Sequence, residues 1–200
     1  MAQVINQVDV MNALHNLMGH RQNPGGTDAD YQRYIQHAFK YCWRYYKWGF
    51  SLKKATVAAD GVLPDDFDLE GYRAFNGVTE ISLEDSMNGV GGSAIIFDTT
   101  IGKYKLSPAT ACTVVYQYQP PTLGQDASGS APFPSAVTVA IGATVFAKQG
   151  ANPTRADVQQ EWDMFHSELD RLVARADNAK PRKPMSYHDK MGTFLGNVGA

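Results

Sequence analysis

Two hundred residues, 44% hydrophobic and 19% charged, are enough to bury a core without disulfide or metal support. Eighteen Lys and Arg against 20 Asp and Glu leave a formal charge of −2, which argues against tight DNA wrapping or recruitment to an anionic membrane. The opening Met-Ala-Gln-Val-Ile-Asn lacks the charged-then-apolar pattern of a secretory leader, and no apolar run approaches a membrane span, so a cytoplasm-like compartment is expected.

Val4, Val8, Met11, Leu14 and Met18 fall at helical spacing and predict a first helix over Val4–Met18, followed by the turn Asn23-Pro24-Gly25-Gly26. Thr27, with Asp30 three residues on, is a capping-box variant opening a second helix that runs to about Trp48. Tyr31, Tyr34, Ile35, Ala38, Phe39, Cys42, Trp43 and Tyr46 cover more than half its circumference, so it must pack on several sides.

The period then changes. Leu52–Ala59, Val78–Leu83, Ala94–Phe97, Ile101–Leu106 and Cys112–Tyr118 read as short strands. Val114, Tyr116 and Tyr118 share one face of the last, and Asn88-Gly89-Val90-Gly91-Gly92-Ser93 reads as a mobile hairpin tip. Cys42 in the second helix and Cys112 in this strand read as buried small hydrophobes rather than a disulfide or metal pair.

A Pro-, Gly- and Ser-rich connection over Pro120–Pro134 returns the chain to helix. Ala136–Ala147 is apolar on nearly all sides, a central buried helix in which Gly142 permits close backbone approach. Thr154 with Asp157 opens the last helix, where Val158, Trp162, Phe165, Leu169, Leu172 and Ala176 step by three and four opposite a charged face. Lys180-Pro181-Arg182-Lys183-Pro184 cannot continue it, and Tyr187, Met191, Phe194 and Leu195 beyond are too dispersed to fold alone. They read as an arm, either disordered or ordered on a partner.

The fold class that follows is α+β, mainly α: a bundle of about four helices, an inserted small antiparallel β layer and an extended C-terminal arm. Its parts are an N-terminal helical pair (1–50), a β-rich insertion (51–133), a C-terminal helical pair completing the bundle (134–179) and the arm (180–200).

The residues that carry chemistry are sparse. Asp66-x-Asp68-x-Glu70-Gly71 imitates the start of a calcium loop, but the position of the closing bidentate Glu holds Gly77. The histidines, His15, His20, His37, His166 and His188, form no metal-protease pair, and Ser93 after two glycines lacks the flanking pattern of a nucleophile elbow. With no acid and base declared among the carboxylates, the chain reads as a non-enzyme with no metal or cofactor. The tyrosines of the second helix, interleaved with Arg33, Lys40, Arg44 and Lys47, allow a nucleic-acid stacking surface, but packing with snorkelling basic side chains explains them better.

Three segments in order resemble the head-to-tail adaptor proteins of tailed phages, also called head completion, connector or neck proteins. The aromatic second helix leads through a strand to Leu63-Pro64-Asp65-Asp66-Phe67, similar to the Leu-Pro-x-Asp-Phe turn of that family. Val115-Tyr116-Gln117-Tyr118-Gln119-Pro120-Pro121-Thr122-Leu123 is similar to its strand ending in Tyr-x-x-Pro-Pro. Pro132-Phe133-Pro134 then leads into an Ala- and Gly-bearing helix and a longer aromatic one. The likeness covers about residues 4–180.

The resemblance implies a structural virion protein at the head–tail junction, made in the host cytoplasm and assembled as a dodecameric ring on the portal protein. The ring would meet a tail-side neck or tail component and pass DNA through its lumen unread. The arm residues Lys180, Arg182, Lys183, Tyr187, Met191, Phe194 and Leu195 would engage the portal, and the loop Asn88, Gly89, Gly91 and Gly92 would face the tail. A non-enzymatic scaffolding or regulatory module is the alternative from another class, with a small hydrolase a distant third.

Overall fold

The computed structural model describes residues 3–17, 28–75, 94–150 and 155–178. The first element is a strand, β1 (Gln3–Ile5), and the helix α1 (Gln7–Leu17) follows it directly. The boundary is set by a reciprocal cap: the Asp9 amide donates to Asn6 Oδ1 and the Asn6 amide to Asp9 Oδ2, both at 2.9 Å. The predicted first helix therefore starts too early. Val4 pairs across a sheet, Val4 and Val8 are exposed, and Val10, Ala13 and Leu14 form the buried stripe.

Helix α2 (Asp28–Tyr45) is followed by β2 (Leu52–Val57), β3 (Arg73–Phe75), β4 (Ala94–Asp98), β5 (Lys103–Ser107), β6 (Cys112–Gln117) and β7 (Ala131–Phe133). Two helices are the last described elements, α3 (Ala136–Gly150) and α4 (Arg155–Asn178). Ser135 caps α3, its hydroxyl oxygen accepting from the Thr138 amide at 3.1 Å.

Two apolar cores result. The larger packs α3 against α1, α2 and α4, with Ile35, Phe39, Trp43, Val139, Ala140, Phe165 and Leu169 all sealed from solvent. Ile5 of β1 and Phe133 of β7 complete it from the sheet side. Gly142 is the point of closest approach, since a Cβ there would lie 2.6 Å from the Phe165 ring and 3.1 Å from Ala38 Cβ. The smaller core lies in the β region and holds Val57, Leu63, Phe67, Ile95, Leu106, Val114 and Tyr116.

A mainly helical bundle with one inserted β layer does not describe this chain. Among the described residues it is an α+β mix in which four helices accompany three separate antiparallel sheets: β1–β7, β2–β6–β3 and β4–β5. The first of these is not confined to the predicted insertion (51–133), because the Asn6 cap releases residues 3–5 to pair with β7, whose Pro132 faces Val4. In the second sheet β6 has β2 on one edge and β3 on the other, while β4 and β5 pair with each other. The outer edge of β5 is met instead by the preceding loop, with Leu63 N–H donating to Tyr104 O and Leu106 N–H to Gly61 O, both at 2.9 Å.

Valine at position 142 would force the Phe165 ring from its seat, and this overpacking outweighs the helix propensity gained on losing glycine. Gly142→Val is expected to lower the unfolding free energy by about 2 kcal/mol in urea denaturation.

Candidate functional site

The arm residues Lys180, Arg182, Lys183, Tyr187, Met191, Phe194 and Leu195, and the loop residues Asn88, Gly89, Gly91 and Gly92, lie outside the described residues. So does the predicted strand Val78–Leu83. The surfaces that the described residues do present are a polar junction, an aromatic groove and a hairpin.

At the junction, the turn after Leu63-Pro64 meets strand β6. Phe67 bridges Tyr118 in antiparallel fashion and stacks on Tyr116, with centroids 5.3 Å apart. Asp66 accepts hydrogen bonds from the Tyr116 hydroxyl at 2.7 Å and from Lys53. Burial alone would push the Asp66 carboxyl up, but the bonds from Lys53 and Tyr116 outweigh it and hold it below the usual carboxylate range. Burial, and then the bond to Asp66, push the Tyr116 hydroxyl up.

Two residues on, Asp68 is almost sealed, its side chain 3% exposed, and takes a two-pronged salt bridge from Arg44 of α2 at 2.7 and 2.9 Å. The same guanidinium reaches Glu70. The calcium-loop imitation is thus three carboxylates each held by a cationic side chain, and among the described residues no three His, Cys, Asp or Glu converge as metal ligands would.

Gln117 lies at the centre of this junction and is fully buried. Its amide nitrogen donates to the Trp43 carbonyl and, at 2.8 Å, to Ser51 Oγ, while its side-chain oxygen accepts from the Tyr72 amide at 3.2 Å. No periodicity in the sequence marks this residue. The alternation of β6 placed Gln117 on the face opposite Tyr116, and that face points into the helix end.

The groove lies along α2. An open depression of about 440 Å³ is lined by His37, Tyr41, Tyr45 and Phe146, with Lys40, Arg44 and Glu70 at its rim. Its aromatic wall is pinned from below by α4: Tyr41 Oη lies 2.7 Å from His166 Nε2, and the Tyr45 hydroxyl donates to Asp170 at 2.8 Å. The His166 ring stacks on both tyrosines. Burial, reinforced by Asp170, pushes the Tyr45 hydroxyl from 10.0 up to about 12. Cys42 behind this wall is buried, which pushes its thiol up and away from reactivity.

The third surface is the β4–β5 hairpin, whose tip is the turn at 99–102. Ile95 and Leu106 face each other at its base and are buried in the smaller core. One pair further out, on the same face, Phe97 and Tyr104 pack edge to face at 5.0 Å but are 52% and 38% exposed. Ile101 in the turn is 47% exposed. An apolar face that begins inside the core thus runs off its edge into solvent. The predicted strands Ala94–Phe97 and Ile101–Leu106 correspond to β4 and, from Lys103 onward, to β5.

No protein-family model and no curated protein sequence matches the chain. Among the described residues no helix is long and apolar enough to cross a membrane.

Removing the Arg44 guanidinium leaves the Asp68 carboxylate buried with only the Glu70 amide at 3.1 Å to stabilise it. Arg44→Met is expected to cost about 3 kcal/mol in chemical denaturation, and adding Asp68→Asn to recover part of that loss. A hydroxyl whose pKa is raised by folding contributes stability that is complete below its unfolded value and lost as pH rises through its folded value. Tyr45 therefore stabilises the fold below pH 10.0 and ceases to as pH climbs towards about 12. Stability measured across that window should fall less steeply in Tyr45→Phe than in the parent chain.

Proposed function

We propose that this chain is a structural, non-enzymatic head-to-tail adaptor of a tailed-phage virion. Copies form a ring between the portal protein and the next tail-side component, and DNA passes through the lumen unread. The observation that carries this reading is the mutual packing of the segments that resemble that family. The Leu63-Pro64-Asp65-Asp66-Phe67 turn bridges Tyr118, and Gln117 between Tyr116 and Tyr118 ties the strand to the end of α2. Phe133 of the Pro-Phe-Pro segment packs against Trp48, Phe50 and Phe39. Residues far apart in sequence but alike in pattern to one family thus serve one joint between helices and sheet.

Such a joint suits a part that bears load. The pinned tyrosines, the Arg44–Asp68 bridge and the buried rings couple the helices and the sheet at many points, so that a force on one is carried to the other. The basic, proline-bearing sequence from Lys180 onward is assigned to the portal, and the β region to the tail side.

The test is location. Imaging of purified particles is expected to place the chain in the collar beneath the portal vertex, and capsids lacking tails should co-sediment with it. Deleting Pro181–Ala200 is expected to abolish portal binding while the circular dichroism of the remaining fold is retained. Purified virions free of the chain would favour a scaffolding or regulatory module instead.

A further inference from the structure

The hairpin carries exposed apolar side chains and the groove an open aromatic wall, and both belong to the same molecule. We infer that the β4–β5 hairpin tip of one copy docks into the α2 groove of the next, through a head-to-tail contact between copies. This deepens the ring of the adaptor reading and names its contact surfaces.

The hairpin offers an apolar projection: Phe97, Tyr104 and Ile101 stand clear of the core that buries Ile95 and Leu106, two residue pairs behind Phe97 and Tyr104. A two-stranded ribbon gains little by exposing such a face, and exposed aromatic clusters on polar surfaces mark contact sites. The groove offers the matching recess, about 440 Å³ walled by Tyr41, Tyr45 and Phe146, whose rings are held rigid by His166, Asp170 and Trp162. A preformed aromatic wall loses little entropy when an aromatic anchor enters it.

The charges agree. Beside the tip, Asp65 bonds Lys103 at 2.9 Å yet keeps 76% of its side chain in solvent. At the groove rim Lys40 is exposed, and Arg44 is already committed to Asp68 and Glu70. Docking sets the solvent-facing Asp65 carboxylate, which Lys103 already contacts from one side, against the exposed Lys40, which can share it. Because the two patches differ, the contact is heterologous, and repeating it closes a ring or continues as a filament.

The experiment uses the full chain. Thr100→Cys places a thiol in the hairpin turn and His37→Cys one at the groove rim; the unaltered chain, with Cys42 buried and Cys112 half-buried, sets the background. With a short bis-maleimide, a mixture of the two variants is expected to give covalent dimers, each variant alone only background, and a chain carrying both thiols a ladder of multimers. Phe97→Ala in the hairpin partner should cut the yield about tenfold, and Lys40→Glu at the rim should cut it independently. The inference is overturned by a mixture no better than background, by equal yield from Thr100→Cys alone, or by a yield indifferent to both Phe97→Ala and Lys40→Glu. Such a failure removes this contact while collar location by imaging still stands or falls by itself.

Discussion

One buried carboxamide holds the two halves of this protein in register. Gln117 is sealed from water, so each of its polar atoms must find a partner inside the protein or cost the desolvation of that group. Its partners come from three places: the carbonyl of Trp43 near the end of α2, the hydroxyl of Ser51 at the entry to β2, and the amide of Tyr72 before β3. Its own backbone adds bonds to Tyr72 O at 2.7 Å and from the Asp68 amide at 3.1 Å. Gly71 lies so close that a Cβ there would be 2.9 Å from Gln117 Cβ. Helix end, strand and turn are therefore mutually fixed, and nothing on either side shifts without breaking a bond that water cannot replace.

That constraint explains the division of the aromatic residues. Those nearest the joint, Trp43, Trp48, Phe50 and Phe133, interlock edge to face or stacked, with both indole N–H groups satisfied by carbonyls: Trp43 to Tyr118 O at 3.0 Å and Trp48 to Cys42 O at 2.9 Å. Those farther along α2 show one edge to solvent and anchor the other on α4 through hydroxyl bonds to His166, Asp170 and Asp177. A half-exposed tyrosine held at its tip is a stiff surface, which is what a lasting contact between proteins requires.

Much of the architecture was legible because it rests on local rules. The 3.6-residue period of Phe165, Leu169 and Leu172, the all-apolar run of α3 and the alternation of Val114 and Tyr116 are each consequences of burial acting on one element at a time. The motif segments at Leu63–Phe67 and Val115–Leu123 were also visible, since turn and strand chemistry is written in neighbouring residues.

What only the tertiary structure decided was pairing. Val4 at helical spacing from Val8 looks helical until the Asn6–Asp9 cap and the distant β7 strand claim residues 3–5. That β6 pairs with β2 and β3 while β4 pairs with β5 is a fact about neighbours that no single strand carries. Where the apolar face of the hairpin leaves the core is not written in its sequence, because alternation records which side a residue faces and not where the core ends. Period and capping are local energies, so one segment suffices to read them. Register, sheet partnership and the edge of a core are set by groups brought together from far along the chain, and they exist only once it has folded.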